Sequence, residues 1–108
     1  MKIKVLIKKP DCNPEIVEIE NELSALQKIV CGHIESIYIP NFTNDDIVCY
    51  GNEEGKLIGL KPNFPLADLS IGIYDMVVGP VVFVGSTDEG EDRSLSEEEI
   101  DKIKRYFS

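Results

Sequence analysis

From Lys2 to Lys8 the chain alternates polar and apolar residues, with Ile3, Val5 and Ile7 opposed to Lys2, Lys4 and Lys8. In a strand successive side chains point to opposite faces, so an extended segment sorts these residues cleanly and a helix does not. The spacing therefore predicts a half-buried strand with a basic face in water. Pro10-Asp11-Cys12-Asn13-Pro14 reads as a turn, because proline fixes φ while Asp and Asn bond their own backbone. Ile16, Val17 and Ile19 form a second strand, which makes residues 2–20 a hairpin.

A helix is expected next. Asn21 is placed to cap it, Leu23, Leu26, Ile29 and Val30 recur at helical spacing, and Gly32 supplies a stop. From Ile34 to Ile39 the alternation returns with apolar groups on both faces, which predicts a central strand. Pro40 to Asp46 is a polar loop. Ile47 to Tyr50 is a strand, and Asn52-Glu53-Glu54-Gly55 is a tight turn into Lys56-Leu57-Ile58, a hairpin in which Gly55 takes positive φ. Lys61 to Pro65 is expected to be irregular, since Pro62 and Pro65 lack donors. Val77-Val78 and Val81 to Val84 flank Gly79-Pro80 and suggest one strand with a bulge or bend. Ser86 to Arg93 is a polar loop. Ser96 with Glu99 fits a capping box, as does Ser94 with Glu97, and Ile100, Ile103 and Phe107 make the apolar stripe of a helix from about Ser96 to Phe107. The pattern predicts a single α+β domain over residues 1–108, a small mixed or largely antiparallel sheet with one helix packed on it and a C-terminal helix. There is no internal repeat or linker.

At 108 residues one modest core is within reach, and no apolar run approaches the roughly 20 residues needed to span a bilayer. Three cysteines, Cys12, Cys31 and Cys49, are an odd number without a CxxC pair, which favours a reducing, cytoplasmic location. Cys31 and Cys49 sit in apolar stretches and read as small core residues. Cys31-Gly32-His33 offers two ligand types, but nothing nearby completes a metal set, and no cofactor is expected. A net charge of −9 argues against direct nucleic-acid binding, which needs clustered Lys and Arg. The acids concentrate instead: eight of the fourteen residues from Asp88 to Asp101 are Asp or Glu. That run keeps open an acidic surface that imitates DNA.

The order of these elements resembles the family known as domain of unknown function 3846. The resemblance covers nearly the whole chain. It is carried by Leu23-Ser24-Ala25-Leu26-Gln27-Lys28-Ile29-Val30 followed by Gly32-His33-Ile34-Glu35, by Asn52-Glu53-Glu54-Gly55-Lys56-Leu57, and by Val78-Gly79-Pro80-Val81. It implies a small α+β fold, an origin in bacteriophages or other mobile elements of bacteria and so a bacterial host cell, and no settled activity. In the family an asparagine followed by arginine usually comes after the central hairpin. Here Asn63 is followed by Phe64, so an anion-binding arginine is not carried onto this chain.

The candidate ligand-binding residues fall into two groups. Asn52, Glu53, Glu54 and Lys56 could read a polar ligand edge, with Gly55 giving access to the backbone; solvated turn charges are the plainer reading. Tyr50, Asn63 and Phe64 combine aromatic rings with an amide, as recognition of a base would require. Against that, Phe64 could simply plug the core. Glu53 and Glu54 are adjacent and need not face each other as acid and base. No catalytic constellation emerges, and the residues point to a binder more than to an enzyme. The leading expectation is a phage-type anti-defence protein that sequesters a small nucleotide immune signal, with homo-oligomerisation as one way to build a pocket. The alternative is a protein inhibitor of a host defence or restriction system that acts through its acidic surface.

Overall fold

The computed structural model describes residues 1–40, 42–44 and 46–108. Its strands and helices are, in chain order, β1 (Lys2–Lys8), β2 (Glu15–Glu20), α1 (Leu23–Val30), β3 (Ile34–Ile37), β4 (Ile47–Asn52), β5 (Pro62–Asp68), β6 (Gly72–Val78), β7 (Val81–Ser86), β8 (Asp92–Arg93) and α2 (Glu97–Tyr106). All pairings are antiparallel. The main sheet runs β2-β1-β7-β4-β3, and β8 pairs with β7 beyond the β1–β7 ladder; β5 and β6 form a separate two-stranded sheet. Among the described residues no helix is long and apolar enough to cross a membrane.

β7 is the axis. All six of its residues are buried, and it is paired on both sides. Its pleat divides the core: Val82 and Val84 join Val5, Ile7, Leu26 and Val30 under α1, while Val81 and Phe83 join Leu6, Cys49, Ile100 and Ile103 on the opposite face. Helix α2 and the root of the β5–β6 hairpin cover that second face. The alternation read at the N-terminus thus sorts residues into two apolar layers rather than one. Lys2 and Lys4 remain exposed, but Lys8 is buried, with its ammonium donating to the Lys9 carbonyl (2.8 Å) and Asn63 Oδ1 (3.0 Å).

Several sequence expectations need correction, and each has a local cause. β3 is an edge strand, not a central one; its apolar side chains pack on β4 and on the cores to either side. Residues Lys56 to Ile58 do not return as a strand. Glu53 to Gly59 instead coils as successive turns, held by bonds such as Ile58 N–H to the Glu54 carbonyl and Leu60 N–H to the Gly55 carbonyl. Positive φ falls at Gly59, and Gly55 is buried against Val78. Pro62 and Pro65 lie in β5 after all. A two-stranded sheet leaves one side of each strand unpaired, so a proline there need not remove a ladder bond. β6 and β7 are separate strands in different sheets, divided at Gly79. Its φ of +74 and the 2.6 Å that an added Cβ would leave to Leu60 Cδ1 require glycine. The polar loop expected from Pro40 to Asp46 includes Asn41 and Asp45, which lie outside the described residues.

The helix ends also differ in part. Glu22, not Asn21, precedes the first turn of α1, and the Asn21 amide donates to the Asp92 carbonyl at 3.2 Å. The left-handed stop is Cys31, with φ of +66, and the Gly32 N–H then bonds the Gln27 carbonyl in the manner of a Schellman turn. Cys31 is consequently exposed, and only Cys49 of the two is a core residue. At α2 the Ser96–Glu99 capping box is complete, whereas the Ser94 hydroxyl accepts from the Lys4 N–H.

Arg93 and Glu99 lock this end of the molecule with two parallel bonds of 2.8 and 2.9 Å. The Arg93 guanidinium holds the Glu99 carboxyl down to about 2, against desolvation that acts the other way. A depressed carboxylate stabilises the fold above its unfolded value of 4.5 and loses that contribution as pH falls towards 2. Glu99→Gln should therefore cost about 1–2 kcal/mol at neutral pH, moderated by solvent around the partly open Arg93 side chain. Urea titrations across acid pH should find the difference from the parent closing as pH falls through that window; a constant difference would mean the pair is not its source.

Candidate functional site

A cleft of about 300 Å³ opens between β3 and the β5–β6 hairpin. One wall is Glu35 to Tyr38, the opposite wall is Asp75 to Val78, and the turn from Asn52 to Leu57 closes one end. At the bottom Ile37, Leu66 and Val77 belong to the apolar core beneath. The lining includes four acidic residues, Glu35, Glu53, Glu54 and Asp75, against one lysine, Lys56, which is already ion-paired with Asp75. The Asp75 carboxyl is lowered by that lysine's hydrogen bond first, and then by the Met76 N–H. Exposed Tyr38 and Leu57 add apolar surface to the rim. The arrangement can hold an apolar group on its floor and a cationic group at its mouth.

Asn52, Glu53, Glu54 and Lys56 line this cleft, as the sequence grouped them. Asn52, however, is buried and fully engaged. Its Nδ2 donates to the carbonyls of Val30 (3.0 Å) and Cys31 (3.2 Å), and its Oδ1 accepts from the Glu54 N–H (2.7 Å). One amide thereby ties off the end of α1 and shapes the turn. Gly32 makes room for it, since a Cβ there would stand 2.8 Å from Nδ2. Glu53 and Glu54 remain exposed.

Tyr50, Asn63 and Phe64 lie elsewhere. The Tyr50 hydroxyl donates to Asp92 Oδ1 at 2.9 Å; burial, then that carboxylate, push it up to about 12. Asn63 Nδ2 donates to the carbonyls of Lys8 and Gly79, each at 2.8 Å, and fastens the hairpin root to β1. Phe64 is buried edge-on against Phe107, with ring centroids 4.9 Å apart. The aromatic-plus-amide platform is therefore distributed through the framework. Glu35, Tyr38 and Asp75 escaped sequence reasoning because nothing local signals that β3 faces β6. His33 is exposed and outside the cleft lining, and among the described residues no three His, Cys, Asp or Glu side chains converge to hold a metal ion.

These contacts separate framework from surface. Asn52→Ala should cost about 1–3 kcal/mol, because it orphans buried carbonyls and a turn N–H, while Glu53→Ala and Glu54→Ala should each stay within about 0.5 kcal/mol. Chemical denaturation of the three variants decides it, and equal stabilities would show that the Asn52 amide bonds contribute nothing net.

No curated protein and no solved structure matches this chain. A family does match, over residues 1–108 and thus the whole length described above. The chain belongs to the family described as Domain of unknown function (DUF3846).

Proposed function

We propose that this protein acts by binding and not by turnover, and that its partner is a protein which presents a basic, extended segment to the cleft between β3 and β6. The observation that carries this reading is the charge of the cleft: four acidic residues line it, and the one lysine among the lining residues is engaged by one of them. An anionic ligand would meet repulsion at close range, whereas Lys or Arg groups would find carboxylates above an apolar floor. The strand walls add a further feature. Among the described residues β3 and β6 each pair on one side only, so a segment running through the cleft has backbone groups within reach on strand edges.

The phage-type origin implied by the family resemblance gives the biological setting we favour, inhibition of a host defence or restriction protein. A sequestered nucleotide signal has less support. The amides of Asn52 and Asn63 are spent internally, and the phosphate-seeking role of Lys56 competes with Asp75.

The test is fluorescence anisotropy with short peptides carrying Lys or Arg on either side of an apolar residue, beside thermal-shift titrations with cyclic dinucleotides. Glu53→Lys with Glu54→Lys should weaken peptide binding about tenfold or more, equivalent to roughly 1.4 kcal/mol, and affinity should fall with added salt. Micromolar binding of a cyclic dinucleotide, with no peptide bound and no response to charge reversal, would replace this reading with the nucleotide one.

A further inference from the structure

The β5–β6 hairpin is apolar on both faces. Phe64, Leu66 and Val77 turn inward to the core. In register on the other face stand Pro65 opposite Met76 and Ala67 opposite Ile73, all of them exposed. The turn between the strands extends this surface with Leu69, wholly open at 101 %, and Ile71 at 68 %. Sheets with apolar residues on both faces are normally covered on both sides, and an isolated two-stranded sheet is marginal on its own.

We propose that a second copy of this chain covers the outer face, the two hairpins packing face to face about a two-fold axis. Area supports a copy. The six side chains expose on the order of 600 Å², at the top of the roughly 300–600 Å² typical of a monomer's largest apolar patch and most of the roughly 800 Å² per partner of a standard interface. Charge supports it too. From Asn63 to Met76 the only charged residues are Asp68 and Asp75. Asp68 accepts from the Ser70 N–H and hydroxyl, and Asp75 pairs with Lys56. Asp68 therefore keeps its charge, and Asp75 is the one compensated; two chains of net charge −9 meet here with one uncompensated carboxylate each, fewer than the acidic surfaces elsewhere would oppose. The same charge disfavours an anionic lipid surface as the cover, and a basic partner would gain no charge contact on this face. The cleft is lined by β6 from Asp75 to Val78, so Met76 borders both surfaces while Pro65, Ala67, Leu69, Ile71 and Ile73 lie outside the cleft lining.

Sedimentation equilibrium and light scattering, from low to high micromolar protein, test the proposal. The parent should have twice the mass of one chain, and its unfolding temperature should rise with concentration. Ile73→Asp and Ile71→Asp should each weaken association at least tenfold and together give monomer, with circular dichroism unchanged. Leu69→Ser, at a side chain with no packing to lose, should weaken it with no effect on folding. Glu53→Lys with Glu54→Lys should leave the mass unchanged, which keeps this result separate from that of the cleft. A parent that stays monomeric throughout the range, or monomers that instead adsorb to vesicles of anionic phospholipid, would overturn the proposal. A dimer equally tight in the parent and in all three hairpin variants would do the same.

Discussion

The contact on which most of this fold converges is the guanidinium of Arg93. It donates to both oxygens of Glu99, to the carbonyls of Ser86 and Ser94, and to the carbonyl of Asp46 at 3.3 Å. Those five bonds join the end of β7, the entry to β4 and the first turn of α2. Glu99 simultaneously accepts from the Ser96 N–H, so the helix cap and the ion pair share one carboxylate. The guanidinium can lie across β7 only because residue 85 is glycine: a Cβ there would stand 2.2 Å from Nη1. An otherwise acidic stretch is thereby folded onto the sheet by its single cation. Within what looks in sequence like a charged tail, Glu99 and Asp92 are thus structural, Asp92 through Tyr50, while Asp88, Glu89, Glu91, Glu97, Glu98 and Asp101 stay exposed.

Local periodicity carried most of the architecture. The β1–β2 hairpin, α1, the β4 strand and the capped α2 are all readable because each depends on contacts within a few residues. The misreadings share a different cause. Prolines argued against β5, yet the strand has one unpaired side where a missing N–H can go. Two valine runs looked like one strand, yet Gly79 sends them into different sheets. Both errors concern which strand lies beside which, and that is decided by tertiary packing. Apolar residues on both faces of β3 suggested a central position, whereas the edge strand uses them against cores on two sides.

The site was legible only in part for a related reason. The turn from Asn52 to Lys56 does line the cleft, but residue type alone could not tell a ligand-reading amide from a structural one. Asn52 and Asn63 are both structural, each bridging segments far apart in sequence. The carboxylates that decide the cleft's character come from three separated places, Glu35, the Glu53-Glu54 pair and Asp75. Only the fold brings them together, and on them rests the proposal of a cationic partner.

The same hairpin forms one wall of the acidic cleft and presents the apolar outer face, while the main sheet serves as its mount. It is attached at the root by Asn63 to β1 and Gly79, by Phe64 to Phe107 and by Asp75 to Lys56. Between Leu66 and Asp75 none of the residues joins the buried core, and Leu69, Ile71, Ile73 and Tyr74 are exposed. A covered outer face would therefore do more than bury apolar area. It would fix the angle at which β6 stands opposite β3, and with it the width of the cleft. Ordering that wall before a partner arrives removes part of the entropic cost of binding. On this argument association of the chain with itself and capture of a partner are coupled through one pair of strands, and the long acidic surface keeps the remaining faces apart.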